Sequence, residues 1–294
     1  MGPLANILIV CHPRDSFWQT SYTVRSLIPL WQQRGHEVAV QFGWRERPAA
    51  DLVIAHVDLT WLPAEARAFF DAYPNVVNRR IVDVSKRRVS SNLMRPGDPW
   101  TGPVMVKTDA NCFGRPDRAR EERPSRLVRA WRRARGLIEE PAAPYLGTYP
   151  VFDSFADVPR RLVRDRGLVV EKFLPERDGD LYVVRQWWVF GDATIERVLW
   201  GPKPMVKSPD VLRREARTVS PPAELTEIRR AFGLDYGKID FVRRDGRAVV
   251  LDVTHTPTGR SMAERDDLVA ALAGGIDQFV PAGARAIEAR AEVA

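Results

Sequence analysis

The sequence predicts a mixed α/β chain: an N-terminal parallel βαβ unit followed by an α+β part built on antiparallel hairpins. Two observations predict it. Residues 6–42 read as strand, helix, strand, with an unbroken apolar run at Ile7-Leu8-Ile9-Val10 and a helix stop at Gly35. Residues 180–199 and 238–257 each carry two apolar-rich runs around a short polar turn, which is the pattern of a hairpin.

At 294 residues the chain is long enough for one large domain or two to three smaller ones with real cores. A hydrophobic content of 45% excludes a disordered or fibrous chain. No apolar run approaches the roughly 20 residues that cross a bilayer. The apolar start lacks a basic lead-in and a small-residue cleavage site, so it reads as a first strand. Cys11 and Cys112 are too few for a disulfide framework and suit a reducing cytoplasm. Four scattered histidines without a Cys grouping argue against a zinc site. The net charge of +7 favours acidic partners such as phosphates and carboxylates.

In order, the first strand covers 6–11 and the loop 12–16 follows, with a helix to about Arg34. Strands at 36–42 and 51–56, a helix at 63–73 and a short strand at Val76-Val77 complete the first unit. Ligands of open α/β sheets bind beyond the carboxyl ends of strands, so His12, Arg14, Asp15 and Ser16 are candidates for substrate contact. The alternative is a capped helix start, with Asp15 or Ser16 as N-cap. No glycine-rich dinucleotide fingerprint follows the first strand. Residues 104–107 form a strand ending in Lys107, and 109–114 have loop chemistry. The stretch 115–135 is dense in Arg, but interspersed acids and the absence of a nucleic-acid motif make it a solvated lid insertion. A buried strand at 168–174, a turn at 175–179 and the hairpin around Gly191-Asp192 come next. Trp187 and Trp188 point to opposite faces of that hairpin, so at least one is core. A helix from about Pro222 to Phe232 ends at Gly233, and a last helix starts near Ser261.

The late hairpin carries the chemistry. A three-residue loop, Arg244-Asp245-Gly246, places Asp240 opposite Val250 with Asp252 as its diagonal neighbour. Lys238, Asp240, Asp252 and Thr254 then share one face, and Ile239, Phe241, Val249, Leu251 and Val253 the other. Two carboxylates at that spacing, roughly 7–8 Å apart at Cα, can bracket one or two hard cations, and oxygen-only ligands suit Mg²⁺. A solvated polar face is the alternative. A two-residue loop would put the two Asp on opposite faces.

The order of these pieces resembles the ATP-grasp superfamily, the group that includes glutathione synthetase and D-alanine–D-alanine ligase. The resemblance covers almost the whole chain and implies three parts: an N-terminal α/β domain (1–85), a lid and central subdomain (86–174) and a C-terminal subdomain (175–294) clamping a nucleotide. It implies that Lys86 and Lys107 contact ATP phosphates and that Asn111 and Gly114 belong to the loop covering them. In Glu171-Lys172-Phe173-Leu174, backbone groups of Lys172 and Leu174 would recognise adenine and Glu171 its exocyclic amine. Glu176 or Asp178 would hold the ribose hydroxyls, and Lys203 or Lys207 would add a phosphate contact. Asp240 and Asp252 resemble the metal-binding acids. Thr254 stands where the family usually has Asn, and Cys112-Phe113 stand where small residues are common.

What the resemblance implies is an ATP- and Mg²⁺-dependent carboxylate–amine (or thiol) ligase working through an acyl phosphate, with Mn²⁺ as an alternative ion. Arg260 and Lys238 would be the catalytic residues, with Arg260 binding the substrate carboxylate or the acyl phosphate as a planar fork. For Arg260, an exposed surface Arg is the alternative reading and the preferred one. The expected partners are a small carboxylate and an amine, not nucleic acid, with a homodimer as the family's frequent state. Two alternatives stand beside it. One is an ATP-binding protein of this fold with weak or no turnover, and the other is a sugar-nucleotide glycosyltransferase.

Overall fold

The computed structural model describes residues 4–95, 97–120, 148–259 and 266–281. Strands β1 (Asn6–Cys11), β2 (Glu37–Phe42), β3 (Leu52–His56) and β4 (Val76–Val77) form a parallel sheet in the order β2-β1-β3-β4. Helix α1 (Thr23–Gln33) packs Leu27 and Trp31 against Ile7 and Ile9, whereas α2 (Ala64–Asp71) packs Phe69 and Phe70 against Leu8 and Val10. β1 is therefore buried on both faces, which is why its sequence is continuous rather than alternating.

The first helix starts later than the sequence suggests. Neither Asp15 nor Ser16 caps it: it begins at Thr23, behind Tyr22. Phe17 and Tyr22 are fully buried while Trp18 between them is exposed, so the chain is pinned to the core at two points by an irregular segment before the helix begins.

Between the two larger sheets lie α3 (Lys86–Val89), a three-stranded antiparallel sheet, α4 (Arg115–Arg120) and α5 (Arg160–Arg164). The small sheet has the order β6-β5-β7, with β5 (Val104–Thr108), β6 (Val151–Phe152) and β7 (Leu168–Lys172). Val104, Val106, Leu162, Leu168 and Val170 form its core.

The largest sheet is antiparallel, in the order β11-β10-β9-β12-β13, with β8 also pairing β9. Its strands are β8 (Glu176–Asp178), β9 (Leu181–Phe190), β10 (Ala193–Gly201), β11 (Arg213–Arg217), β12 (Tyr236–Arg244) and β13 (Arg247–Thr254). Residues 175–179, expected as a turn, contain β8, because Glu176 and Asp178 find ladder partners in Val183 and Leu181. Helix α6 (Ala223–Phe232) covers one face and ends at Gly233, which takes the left-handed conformation at φ +64. Helix α7 (Asp266–Ala273) lies between this sheet and α1. Trp187 and Trp188 are both buried, on opposite faces. Trp187 joins the core under α6, and Trp188 joins the core shared with the N-terminal sheet.

The β12–β13 turn differs from the expected one. Arg244 pairs Arg247, so the loop has two residues, Asp245 at φ 51 and Gly246 at φ 78. Both are left-handed, the geometry that suits the twist of a tight hairpin. A regular ladder from this turn would put Asp252 across from Ile239 and aim it into the core. The register instead shifts between Asp240 and Phe241: Phe241 pairs Val250 and Asp240 pairs Asp252. Leu251 is the extra residue of a β-bulge. The bulge returns both aspartates to one face and makes them direct neighbours rather than diagonal ones.

Candidate metal and phosphate site

The polar face of β12–β13 holds two cross-strand pairs, Asp240 with Asp252 and Lys238 with Thr254, extended on β9 by Gln186 and Trp188. Each aspartate is ion-paired. Lys238 Nζ donates to both oxygens of Asp240, at 2.7 and 2.6 Å. Lys86 Nζ donates to Asp252 Oδ1 at 2.8 Å, and the Val253 N–H donates to the same oxygen at 3.0 Å. Lys86 is only 3% exposed. Burial works against its charge, but the Asp252 carboxylate beside it wins and holds the ammonium above its ordinary range.

Above this face runs the loop after β5. Asn111 Oδ1 accepts from the Cys112 N–H at 2.8 Å and lies 3.5 Å from Lys86 Nζ. Cys112, Phe113 and Gly114 have φ of 46, 60 and 65, three successive left-handed residues. Only glycine takes that conformation freely, so each of the first two carries about 1–2 kcal/mol of strain. Tyr149 stacks on Phe113 at 4.4 Å, and Lys207 Nζ sits 3.8 Å from the Phe113 ring centre. Burial lowers the pKa of Lys207 and, with the Thr108 hydroxyl opposing, raises that of Tyr149 to about 12. Of the two lysines left open by the sequence, Lys207 therefore reaches this region. Lys203 is exposed and pairs with Asp210 at 2.7 Å.

At the junction with the small sheet, Lys107 Nζ lies 2.6 Å from Glu171 Oε2, with both side chains buried, and Glu171 Oε1 has no hydrogen-bond partner among the described residues. Lys172 is placed otherwise than expected. Its N–H donates to the Asn92 carbonyl at 2.8 Å and its carbonyl accepts from Asn92 Nδ2 at 2.7 Å, because Asn92 and Leu93 run beside β7 as a partial extra strand. The Phe173 N–H likewise bonds the Pro103 carbonyl at 2.9 Å. Leu174 and Pro175 lead from there into β8.

Glu176 and Asp178 are not brought to the Asp240 face. Their partners Val183 and Leu181 alternate with Gln186, so they point to the opposite side. There Glu176 holds Arg185 through both carboxylate oxygens at 2.9 and 3.0 Å, and Asp178 accepts from the Trp200 indole at 2.9 Å. Arg260 lies outside the described residues, as do 121–135 of the Arg-rich stretch.

The described start of that stretch is not solvated throughout. Arg120 is buried, with its guanidinium 2.6 Å from Asp15, 3.1 Å from Asp58 and 2.8 Å from the Tyr22 hydroxyl. The Tyr22 hydroxyl donates to Asp58 Oδ2 at 2.9 Å, and the Thr256 hydroxyl donates to Asp58 Oδ1 at 2.8 Å. Of the candidates in the loop 12–16, Asp15 is thus committed to Arg120. His12 instead packs edge-on against Trp44, and Ser16 bonds the Thr20 hydroxyl. Asp58 and Arg120 were not apparent in the sequence. The carboxyl-end rule that flags Asp15 after β1 applies equally to Asp58 after β3, but nothing separates Arg120 from its neighbouring arginines. His255, two residues before Pro257, turns away from the polar face and bonds the Val57 carbonyl at 2.8 Å.

The donors fit a divalent cation carried by a polyphosphate. Asp240, Asp252 and Thr254 offer only oxygen, and Mg²⁺ commonly takes one or two carboxylates with phosphates completing its shell. Lys86, Lys207 and Lys238 supply positive charge around them.

No family model matches the chain, and no curated protein matches it in sequence. Solved structures do. The ATP-grasp ligase PsnB complexed with a minimal precursor is similar over 92% of this chain and 98% of its own, at 13% identity and a TM-score of 0.50. A RimK domain ATP-grasp protein from Sphaerobacter thermophilus aligns over 93% and 99% at 14% identity and a TM-score of 0.47. D-alanine–D-alanine ligase from Bacillus anthracis aligns over 98% and 99% at 10% identity and a TM-score of 0.44. The chain has the fold of the ATP-grasp superfamily. Among the described residues, no helix is long and apolar enough to cross a membrane.

Proposed function

We propose that this chain is an ATP- and Mg²⁺-dependent ligase that activates a carboxylate as an acyl phosphate and passes it to an amine. The observation that carries the reading is the direct opposition of Asp240 and Asp252 on one face, ringed by Lys86, Lys207 and Lys238. The ATP-grasp fold favours this over a glycosyltransferase. Asp240, Asp252 and Thr254 would hold the metal, which would supply Lewis-acid charge for the phosphates when bound. Lys86, Lys107 and Lys207 bind phosphate oxygens, and Lys238 meets the charge that develops on the transferring phosphoryl. Glu171, whose Oε1 is buried without a donor, takes the adenine amino group. Leu174 keeps its expected adenine contact. Asn92 already holds both backbone groups of Lys172, so that residue's share in adenine recognition is smaller than the resemblance implies.

A second reading, nucleotide binding with little turnover, draws on two observations: Thr254 replaces an amide ligand, and both acids already hold lysines. Screening acids and amines for ADP release separates the two. Release that requires both co-substrates and is lost in Asp252→Asn supports the ligase. Calorimetric Mg-ATP binding without ADP release under any pair supports the second reading, and no nucleotide binding at all overturns both.

A further inference from the structure

The two aspartates are not restrained alike, and the difference says how a metal can enter. Among the described residues, the hydrogen bonds to Asp252 fall on Oδ1, from Lys86 and from the Val253 backbone, so the ion pair engages one oxygen. At Asp240 a single ammonium spans both oxygens, at 2.7 and 2.6 Å. Lys238 and Asp240 are two residues apart on β12 and share a face, so the pair is built into the strand. The lysines differ as well. Lys86 is enclosed, whereas Lys238 is more open and has the Trp188 ring on its other side, 5.9 Å from Nζ.

We propose that Lys238 is a counter-ion gate: Asp240 accepts a divalent cation only after this ammonium has moved off it, and arriving phosphates are what move it. The inference rests on the ligase reading's assignment of Asp240 to metal. A dication on Asp240 with Lys238 in place would sit a few ångströms from a positive charge on a partly buried face, where like charges repel strongly. A polyphosphate removes the conflict because its oxygens offer the ammonium a new partner while it brings the cation. Lys86 needs no such displacement, since it leaves one oxygen of Asp252 to the metal. Metal without nucleotide should therefore bind poorly, and the barrier should lie in Lys238 specifically.

The test is Mn²⁺ binding to the full chain, followed by electron paramagnetic resonance with and without adenylyl imidodiphosphate. Wild type should bind Mn²⁺ weakly alone and tightly with the analogue. Lys238→Met, or Lys238→Gln if the first folds poorly by circular dichroism, should bind Mn²⁺ alone at least about ten-fold more tightly, as expected from removing one close charge. Lys203→Met removes an equal charge that is exposed and paired with Asp210, away from the site, and should change metal-only affinity less than about two-fold. Equal Mn²⁺ affinity in wild type and both Lys238 variants overturns the gate while the nucleotide-dependent site persists. So does an equal gain in Lys203→Met, because it would mean bulk charge alone. Absence of Mn²⁺ binding to every one of these proteins with the analogue present would overturn the metal assignment itself, and the gate with it.

Discussion

Two ionic clusters about the middle of this molecule are built in opposite ways. On β12–β13, cations and carboxylates are matched one to one, Lys238 to Asp240 and Lys86 to Asp252, on a face with partial solvent access. Between the N-terminal sheet and α4, one buried guanidinium serves Asp15 and Asp58 together with the Tyr22 hydroxyl. Desolvation pushes the Asp15 carboxyl up despite Arg120, so the cluster stands only while its single cation does. The first arrangement can exchange partners, and the second can only be broken. Exchangeable pairs suit a site that takes up a charged ligand, whereas an undivided buried cluster suits a joint between units.

This contrast can be broken at either end. The largest effect on stability belongs to Arg120→Met, which strands two carboxylates and should cost about 3–5 kcal/mol in urea unfolding. A loss under 1 kcal/mol would mean that the joint is wetter than its geometry. Asp240→Asn should reverse the pattern, lowering ADP release by about 10²–10³-fold while leaving the melting temperature nearly unchanged. If melting falls as far as in Arg120→Met, the hairpin pair is structural too.

Acid sharpens the comparison through a third buried group. His56 lies beside Tyr22 and His255, and burial, with His255 adding to it, lowers its pKa from 6.5 to about 3. The unfolded chain binds this proton first, so its contribution to stability is complete above pH 6.5 and is lost as pH falls from there toward 3. His56→Gln should flatten the acid limb of a stability–pH curve over that window. An unchanged limb would assign it to the carboxylates instead. Smaller effects come last. Lys203→Met should leave nucleotide affinity within about two-fold, because its pair with Asp210 is exposed, whereas Lys207→Met should weaken it about ten-fold by losing a charge-assisted contact. Deleting Leu251 should keep Asp240 opposite Asp252 and cost only ~1 kcal/mol, since the observed register already skips that residue.

Local pattern carried much of this fold. Ile7-Leu8-Ile9-Val10 announced a first strand, Gly233 closed its helix, and the adjacent tryptophans had to face apart. Asp240 and Asp252 stood out as candidate acids because they fall, with Lys238 and Thr254, on the polar face of a hairpin whose other face is apolar. Their geometry was legible only by accident. The turn has two residues rather than three, and a bulge at Leu251 supplies the compensating shift. A bulge leaves little trace in composition, since its residue is chosen by strand curvature and packing rather than by local propensity.

The amino-acid order alone determined most of the longer strands and helices, because those follow from periods of two and 3.6 residues. The side chains that the late hairpin presents together depended instead on its bulge. Which cation meets which carboxylate was decided by the tertiary structure. Lys86 and Asp252 are 166 positions apart, and Arg120 and Asp15 are 105. The same holds for Glu176 and Asp178, suitable in chemistry but turned to the back of the sheet once β8 paired with β9. The physical reason is that local propensity sees a few neighbours, whereas charge pairing in a folded chain depends on contacts made only after the sheets have packed.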